Sequence, residues 1–286
     1  MSKKVLIQGY PGAFHEEAAN EYFDGENIEI VPAMTFEILA EKLSKDKNID
    51  FAMMAIENSI AGSLLQNYRL LRENSFLITG EIYLRIKHNL MVLPGQKIND
   101  IKEVISHPMA LNQSMKYLKS LNGVRLIETE DTALSAKKIA EEKLTNIAAI
   151  ASKTAAKLYG LDILAESIET SDVNYTRFFV IKKNGIKPHI TGDENKASIY
   201  IRVKDEKGSL LNVLNKIAQY DINMSKLQSY PVMGSMSEYY FHIDMEFEDV
   251  ESYKKLIDDI KECTLVTEEL GVYKKHKLAL TENTLT

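Results

Sequence analysis

The stretch Phe51-Ala-Met-Met-Ala-Ile-Glu-Asn-Ser59 decides the fold class, because a continuous apolar run ends there in a polar turn. An uninterrupted apolar run of this length is typical of a strand buried on both faces. The residues that follow, through Ser63, are mostly small and polar, and a helical pattern then continues to Leu71. Strand, polar turn and helix in this order predict one unit of an α/β sheet.

The same order repeats along roughly the first 180 residues, where short apolar strands alternate with segments of helical period. Carboxyl ends of strands border the ligand crevice of an open α/β sheet, and free N–H groups at helix starts favour anions. We therefore expect a cleft for a small polyanionic metabolite, although a single such junction is more often a simple helix cap. The junctions richest in polar residues or glycine are Gly9 to Glu16, Glu57 to Ser63, Ser106 to Pro108, and Ala151 to Thr154.

The pattern changes after a polar segment, Lys182 to Lys196, that has no periodicity. Strand and helix signals then follow in the order β-α-β-β-α-β, which is the order of the ferredoxin-like split unit. The expected division is a first domain over 1–183, a linker over 184–196, a second domain over 197–275 and a tail over 276–286.

Composition argues against several classes of function. Lys and Arg number 35 against 41 Asp and Glu, and this net charge of −6 does not suit a nucleic-acid surface. No stretch approaches the ~18 apolar residues of a membrane span, and the first residues do not resemble a signal peptide, so a cytoplasmic location is expected. One cysteine and six histidines without ligand spacing predict no metal site, and no nucleotide-binding motif is present.

Asn174-Tyr-Thr-Arg-Phe-Phe179 is the sharpest local cluster, because a hydroxyl, a cation and two aromatic rings stand at the entry to a strand. Arg177 offers a bidentate fork for a carboxylate, and Thr176 offers a short, stiff donor. The alternative for such a pattern is a charge beside a core ring with no part in binding.

This cluster and several other motifs resemble the prephenate dehydratases that carry a C-terminal ACT regulatory domain, over nearly the whole chain. The matching elements are Gly9-Tyr-Pro-Gly12, Ile56-Glu-Asn-Ser59, Ser106-His-Pro108, Ala148-Ala-Ile-Ala-Ser152, Asn174-x-Thr176-Arg-Phe178, and, in the C-terminal part, Leu210 to Leu214, Asp221-Ile-Asn223 and Tyr240-Phe241.

The chain departs from the family pattern in two places. Ala13 and His15 stand where the family usually has Ser or Thr. In the regulatory part, Gly208-Ser-Leu210 and Gln228-Ser-Tyr-Pro231 replace Gly-Ala-Leu and Glu-Ser-Arg-Pro.

The resemblance implies a cofactor-free conversion of prephenate to phenylpyruvate with loss of water and carbon dioxide. It implies two α/β lobes around a cleft, like those of periplasmic binding proteins, followed by a ferredoxin-like ACT domain. Lobe 1 would take about 1–80 and 167–183, and lobe 2 about 81–166, with crossings near Gly80 and Ser167. It further implies a homodimer or homotetramer and L-phenylalanine as an effector, with no nucleic-acid or membrane partner.

The resemblance also assigns residues to roles. Thr176 would assist loss of the ring hydroxyl group, with Glu57 as the alternative acid, and Arg177 would bind a substrate carboxylate. A helix-terminal carboxylate for Glu57 and a structural ion pair for Arg177 stay open as alternatives. Further substrate contacts would come from Asn58, Ser59, Ser106, His107, Gln113, Ser152, Asn174 and Phe178. Effector contacts would come from Gly208, Ser209, Leu210, Asn223, Met224, Gln228, Ser229 and Pro231.

Two other functions are compatible with the sequence. Arogenate dehydratase acts on a substrate with an amino group in place of the keto oxygen. A non-catalytic amino-acid sensor would use the same cleft without turnover, but it would have no chemical need for Thr176, Arg177 and Glu57 together.

Overall fold

The computed structural model describes residues 2–183, 190–235 and 237–276. Residues 184–189 of the predicted linker and 277–286 of the predicted tail lie outside the described residues. Within the described part of the chain, no helix is both long and apolar enough to span a bilayer.

The described residues form fifteen strands and nine α-helices. The strands are β1 (Lys3–Gln8), β2 (Ile28–Ala33), β3 (Phe51–Asn58), β4 (Gly62–Ser63), β5 (Leu77–Arg85), β6 (Asn89–Val92), β7 (Glu103–Ser106), β8 (Arg125–Glu128), β9 (Ile147–Ala151), β10 (Asp162–Ala165), β11 (Tyr175–Lys182), β12 (Lys196–Arg202), β13 (Asn223–Pro231), β14 (Tyr239–Glu246) and β15 (Val266–Tyr273). The helices are α1 (Phe14–Tyr22), α2 (Phe36–Lys45), α3 (Leu65–Glu73), α4 (Pro108–Gln113), α5 (Met115–Leu118), α6 (Thr132–Glu142), α7 (Lys153–Tyr159), α8 (Ser209–Gln219) and α9 (Val250–Lys261).

The first sheet has the order β2-β1-β3-β11-β5, with β4 attached to β3. Strand β1 pairs in parallel with both β2 and β3, and helices α1 and α2 supply the crossovers that parallel pairing requires. Residues Ala52 to Ile56 of β3 are all buried, so the prediction of a strand covered on both faces is confirmed.

The second sheet has the order β10-β6-β9-β7-β8, with β7 parallel to β8 and β9 and with β6 antiparallel to β9 and β10. Adjacent residues of β7 enter different cores. Val104 packs with Leu111 and Leu118, whereas Ile105 packs with Ala133 and Ala136 of α6. This alternation follows from the two-residue period of a strand and places helices on both faces of the sheet.

The third sheet is antiparallel, with the order β13-β14-β12-β15, and its elements follow the chain as β12-α8-β13-β14-α9-β15. This is the ferredoxin-like arrangement that the sequence predicts. One apolar core joins Ile199 and Ile243 of the sheet to Val213 of α8 and Leu256 of α9.

The compact units do not coincide with the expected domains, whose boundaries stay predictions. Strand β5 continues through Gly80 to Arg85 within the first sheet, so the chain stays in this sheet past the glycine. Two compact units are present: one contains the residues up to Leu64 with Ile82–Phe178, and the other contains Leu65–Glu81 with the described residues from Phe179 onward. No composition shift in the sequence marks the segment Leu65–Glu81.

Candidate active site

A cavity of about 310 Å³ lies in the first compact unit. Strand ends and helix starts of both of its sheets contribute to the wall. Three of the four predicted polar junctions supply lining residues, whereas no residue of Ala151 to Thr154 lines the cavity. Its volume lies within the range of small-molecule sites, about 300–1,000 Å³. The lining residues are Gln8, Ala13, Phe14, His15, Ala55, Asn58, Ala61, Leu64, Ile86, His88, His107, Met109, Ala110, Gln113, Glu130, Asp131, Thr132, Thr176 and Phe178.

Thr176 lies in the cavity wall beside Asn58, and the hydrogen bond between them has a defined direction. The Asn58 Oδ1 atom accepts from the backbone N–H groups of Ile60 (3.0 Å) and Ala61 (2.9 Å), so its Nδ2 atom faces the other way. That Nδ2 donates to Thr176 Oγ1 at 3.0 Å and to Asn174 Oδ1 at 2.9 Å. Because Thr176 Oγ1 is the acceptor here, its own hydrogen is left to donate elsewhere.

The same chain of hydrogen bonds continues through Asn174 to Gln113. Asn174 Nδ2 donates to Gln113 Oε1 at 2.9 Å, and His88 Nε2 lies 2.9 Å from the same oxygen. A carbonyl oxygen only accepts, so the Nε2 atom of His88 carries a hydrogen. Burial lowers the pKa of His88, although the hydrogen bond to Gln113 and the charge of Glu169 oppose the shift. The amide nitrogen of Gln113 is then oriented away from this network as a donor.

Helix α1 begins in the cavity wall without a capping side chain. Its N-cap residue is Ala13, which has no side-chain oxygen to accept from the first N–H groups, and Ala13, Phe14 and His15 all line the cavity. The first N–H groups of a helix point along its axis and carry partial positive charge, so this end of α1 suits a carboxylate.

His15 is buried beside two rings. Its imidazole ring lies 4.9 Å from the ring centroid of Phe178 and 5.6 Å from that of Phe36. Burial lowers the pKa of His15 to about 3, so the side chain is neutral at physiological pH. A cationic role for His15 is therefore excluded.

Two acidic residues and an imidazole line the cavity from the side of the second sheet. Asp131 caps α6, accepting from Leu134 N at 2.8 Å, and Glu130 precedes it. Burial raises the pKa of Asp131, while hydrogen bonds from backbone N–H groups and the nearby His107 act in the opposite direction. His107 Nδ1 accepts from Met109 N at 3.2 Å, so the hydrogen of a neutral His107 lies on Nε2.

Four of the residues predicted to contact substrate line the cavity with Thr176, namely Asn58, His107, Gln113 and Phe178. Arg177 and Glu57 do not line it. Successive residues of a strand point to opposite faces, so Arg177 faces away from its neighbours in the wall, and its guanidinium lies over the Tyr83 ring, 5.7 Å from the centroid. Glu57 precedes Asn58 on β3 and, for the same reason, faces the opposite side of the strand. Their predicted substrate contacts stay predictions.

The other predicted residues hold the backbone around the cavity. Ser59 Oγ donates to Val173 O and accepts from Tyr175 N, both at 3.0 Å. Ser106 Oγ donates to a carbonyl of β9, and Ser152 Oγ donates to Gly12 O, each at 2.6 Å. Asn174 is fully buried between Asn58 and Gln113. These positions orient the wall without lining it.

The predicted effector residues do not share one cavity. Ser209 and Leu210 line a cavity of about 150 Å³ at the start of α8, after Gly208, whose φ of +87° needs the freedom of glycine. Asn223 lines a different cavity, of about 610 Å³. The remaining four residues, Met224, Gln228, Ser229 and Pro231, lie along strand β13.

Several lining residues were not predicted as site residues, among them His15, His88, Glu130 and Asp131. Asp131 had a usable signal, since it stands between strand β8 and helix α6 and is therefore a further strand-to-helix junction. Among the described residues, no group of three or more His, Cys, Asp or Glu side chains is arranged to hold a metal ion.

Comparison with known proteins shows similarity along most of the chain. A model described as "Prephenate dehydratase" matches residues 5–186. Arogenate dehydratase/prephenate dehydratase 1 of Arabidopsis thaliana is 37% identical over 257 residues, which make up 85% of this chain and 64% of the plant protein. The chain thus spans less than two thirds of that relative's length.

Two solved structures are similar to the whole described fold. The structure of GqqA, presented as a novel type of quorum-quenching acylase, has a TM-score of 0.86 at 30% identity, covering 96% of this chain and 98% of its own. Prephenate dehydratase of Arthrobacter aurescens in complex with L-Phe has a TM-score of 0.83 at 24% identity, covering 95% and 90%. The latter bears on the fold alone, and it confirms the predicted α/β fold class.

Proposed function

The chain belongs to the prephenate dehydratase family, and we propose that it converts prephenate to phenylpyruvate with loss of water and carbon dioxide. In this reaction the bond from the ring to the hydroxyl oxygen breaks, and the ring carboxylate leaves as carbon dioxide. The electron pair of the broken carbon–carbon bond completes the aromatic ring. The departing hydroxide takes up a proton and becomes water, so no electron acceptor is needed.

The direction of the hydrogen bond between Asn58 and Thr176 carries the proposal. Since Asn58 Nδ2 donates to Thr176 Oγ1, the hydroxyl hydrogen of Thr176 is available for the departing hydroxide. A preorganised donor at a position where negative charge develops lowers the barrier without reorganisation during the reaction. A threonine hydroxyl is too weak an acid to give up its proton fully, so its role is to donate a hydrogen bond.

Neutral donors in the wall would hold the carboxylates of the substrate. The uncapped start of α1, the Nε2 hydrogen of His107 and the amide nitrogen of Gln113 supply such donors. Holding the substrate in register removes part of the entropic barrier. Arg177, from behind the wall, would act on the orientation of Thr176 and Phe178 through the strand they share.

The test is turnover of prephenate by the purified protein and three variants. Thr176→Val keeps the shape of the side chain and deletes the hydroxyl group, so we expect kcat to fall about 100- to 1,000-fold. Thr176→Ser restores the donor and should recover most of the rate. Asn58→Asp keeps threonine but turns its hydroxyl toward the carboxylate, and we expect a loss comparable to that of Thr176→Val. The readout is phenylpyruvate formation.

Two results would contradict the proposal. Wild-type rates in a folded Thr176→Val protein would remove Thr176 from the reaction. A folded wild-type protein that binds prephenate but turns over neither prephenate nor arogenate would favour the amino-acid sensor. Turnover of arogenate alone would favour arogenate dehydratase.

For regulation, we propose that L-phenylalanine binds the C-terminal unit and that the chain forms a homodimer or homotetramer. The resemblance of Gly208-Ser-Leu210 and Gln228-Ser-Tyr-Pro231 to regulatory motifs supports this, although two residues of the second motif differ from it. Inhibition of prephenate turnover by L-phenylalanine, with light scattering to follow the mass of the assembly, tests both parts.

A further inference from the structure

The charge of the candidate active site is unusual for a cavity that receives an anion. Glu130 and Asp131 are among its lining residues, whereas no lysine or arginine in the described part of the chain lines it. His15 and His88 are kept neutral by burial, which lowers the pKa of each. A dianion such as prephenate would therefore meet neutral donors and negative charge.

Asp131 is one of the two carboxylates in this wall, and it caps α6. No ion pair joins it to a lysine or arginine among the described residues, and the nearby His107 acts to lower its pKa. Its Oδ1 atom is engaged by the N–H group of Leu134 at the start of α6. Burial raises the pKa of Asp131, as expected of a carboxylate that lacks a cationic partner.

Asp131 also lies beside the start of α1. A Cβ atom built on Gly9 would be 2.8 Å from Asp131 Oδ2 and 3.2 Å from the Cβ of Ala13, the N-cap residue of α1. A carboxylate and an uncapped helix start are therefore neighbours in one wall. An α-amino acid group carries the complementary pair, because its carboxylate suits the helix N-terminus and its ammonium suits the aspartate.

We propose that Asp131 is a specificity-determining residue whose carboxylate binds the ammonium group of an aminated substrate, so that the cavity favours arogenate over prephenate relative to the same cavity with a neutral side chain there. This inference rests on the proposed function, since the two substrates differ at the side chain and share the ring that reacts. The keto oxygen of prephenate offers Asp131 no hydrogen to accept, and its dianion is repelled by the same charge.

Asp131→Asn is the informative variant, because asparagine is as good an N-cap as aspartate and removes only the charge. We expect kcat/KM for arogenate to fall and kcat/KM for prephenate to rise, so that their ratio moves at least tenfold toward prephenate. Asp249→Asn, which changes the N-cap of α9 in the second unit, is the matched control, and we expect its ratio to stay within twofold of the wild type. Melting temperatures verify that all three proteins fold.

Binding separates this inference from the proposed function. Calorimetric titration of each substrate into Thr176→Val, and into the same protein with Asp131→Asn, measures the ratio of dissociation constants without turnover. A tenfold shift of that ratio supports the role of Asp131 even if the wild type turns over neither compound, in which case only the proposed function fails. An unchanged ratio in both binding and kcat/KM overturns the inference.

Discussion

A threonine hydroxyl donates one hydrogen bond and accepts others, and at Thr176 the neighbouring side chains decide which of these is left for a ligand. Backbone N–H groups fix Asn58, Asn58 donates to Thr176, and Asn174 extends the same order to Gln113. Each member is therefore held in one orientation. A change that reverses one amide reverses the hydrogen bond at Thr176, which is why residues outside the reaction itself matter for it.

His15 predicts an acid-dependent loss of stability. Its pKa is about 3 in the folded protein because of burial, against 6.5 for the ordinary group. Below pH 6.5 the unfolded chain binds a proton that the folded protein does not, so stability falls as the pH falls from about 6.5 toward about 3. Between pH 7.5 and pH 5.0 this amounts to about 2 kcal/mol of the free energy of unfolding. Urea denaturation at the two pH values measures it.

The variant His15→Phe provides the comparison, since a phenyl ring keeps the packing against Phe36 and Phe178 and does not titrate. We expect the loss of stability between the two pH values to be smaller in His15→Phe by about that amount. Equal losses in the two proteins would show that His15 does not titrate as described.

At the scale of elements, the turn between β1 and α1 holds the two lobes of the first unit together. Ser152 Oγ, at the start of α7, donates to Gly12 O at 2.6 Å, and Tyr159 Oη, at its end, donates to Pro11 O at 2.7 Å. The backbone of α7 comes so close that a Cβ atom on Gly12 would lie 2.8 Å from Ala155 Cα. Position 12 thus requires glycine both because of the close contact with Ala155 and because of its positive φ angle.

Substitution of Gly12 by alanine is accordingly expected to be costly. Its φ of +90° alone costs about 1–2 kcal/mol for a residue with a Cβ atom, and the overlap with Ala155 raises the total to about 3 kcal/mol or more. Gly25→Ala is the control, because Gly25 has a φ of +79° but open space around its Cβ position, so only the conformational cost applies. Urea midpoints of the two variants should differ clearly, and equal midpoints would contradict the close contact.

At the scale of the whole molecule, a buried ion pair joins distant parts of the sequence within the second compact unit. Lys196 Nζ, at the start of β12, lies 2.9 and 3.0 Å from the two carboxylate oxygens of Glu81, on β5, and both side chains are about 1% exposed or less. Glu81 stands far ahead of the C-terminal sheet in the sequence. Residues that precede the polar segment and residues that follow it are therefore in direct contact.

Lys196→Met tests this connection. The variant leaves Glu81 buried without its lysine, and we expect a loss of about 3–5 kcal/mol of the free energy of unfolding. Adding Glu81→Leu should return part of that loss, since no unpaired charge is then buried. The exposed pair Lys45–Glu41 is the control, because solvent screens it and Lys45→Met should leave the free energy of unfolding nearly unchanged. Equal losses for the two lysines would show that the buried pair is not needed.

The sequence by itself determined the elements and their classes, because these depend on local periodicity and turn chemistry. The helix Thr132–Glu142, the strand Val266–Tyr273 and the βαββαβ order were predictable in this way, as was the meeting of three of the four polar junctions at one cavity. Alternation along β11 also separates Thr176 from Arg177, a consequence already contained in the sequence.

Only the tertiary structure decided which distant residues meet. Asn58 and Thr176 are 118 positions apart, and Glu81 and Lys196 are 115 apart. Asp131, at the start of α6, lies beside Gly9 in the turn after β1. Such contacts depend on the order and register of strands in a sheet, which arise from packing across the whole core and leave no local pattern in the sequence.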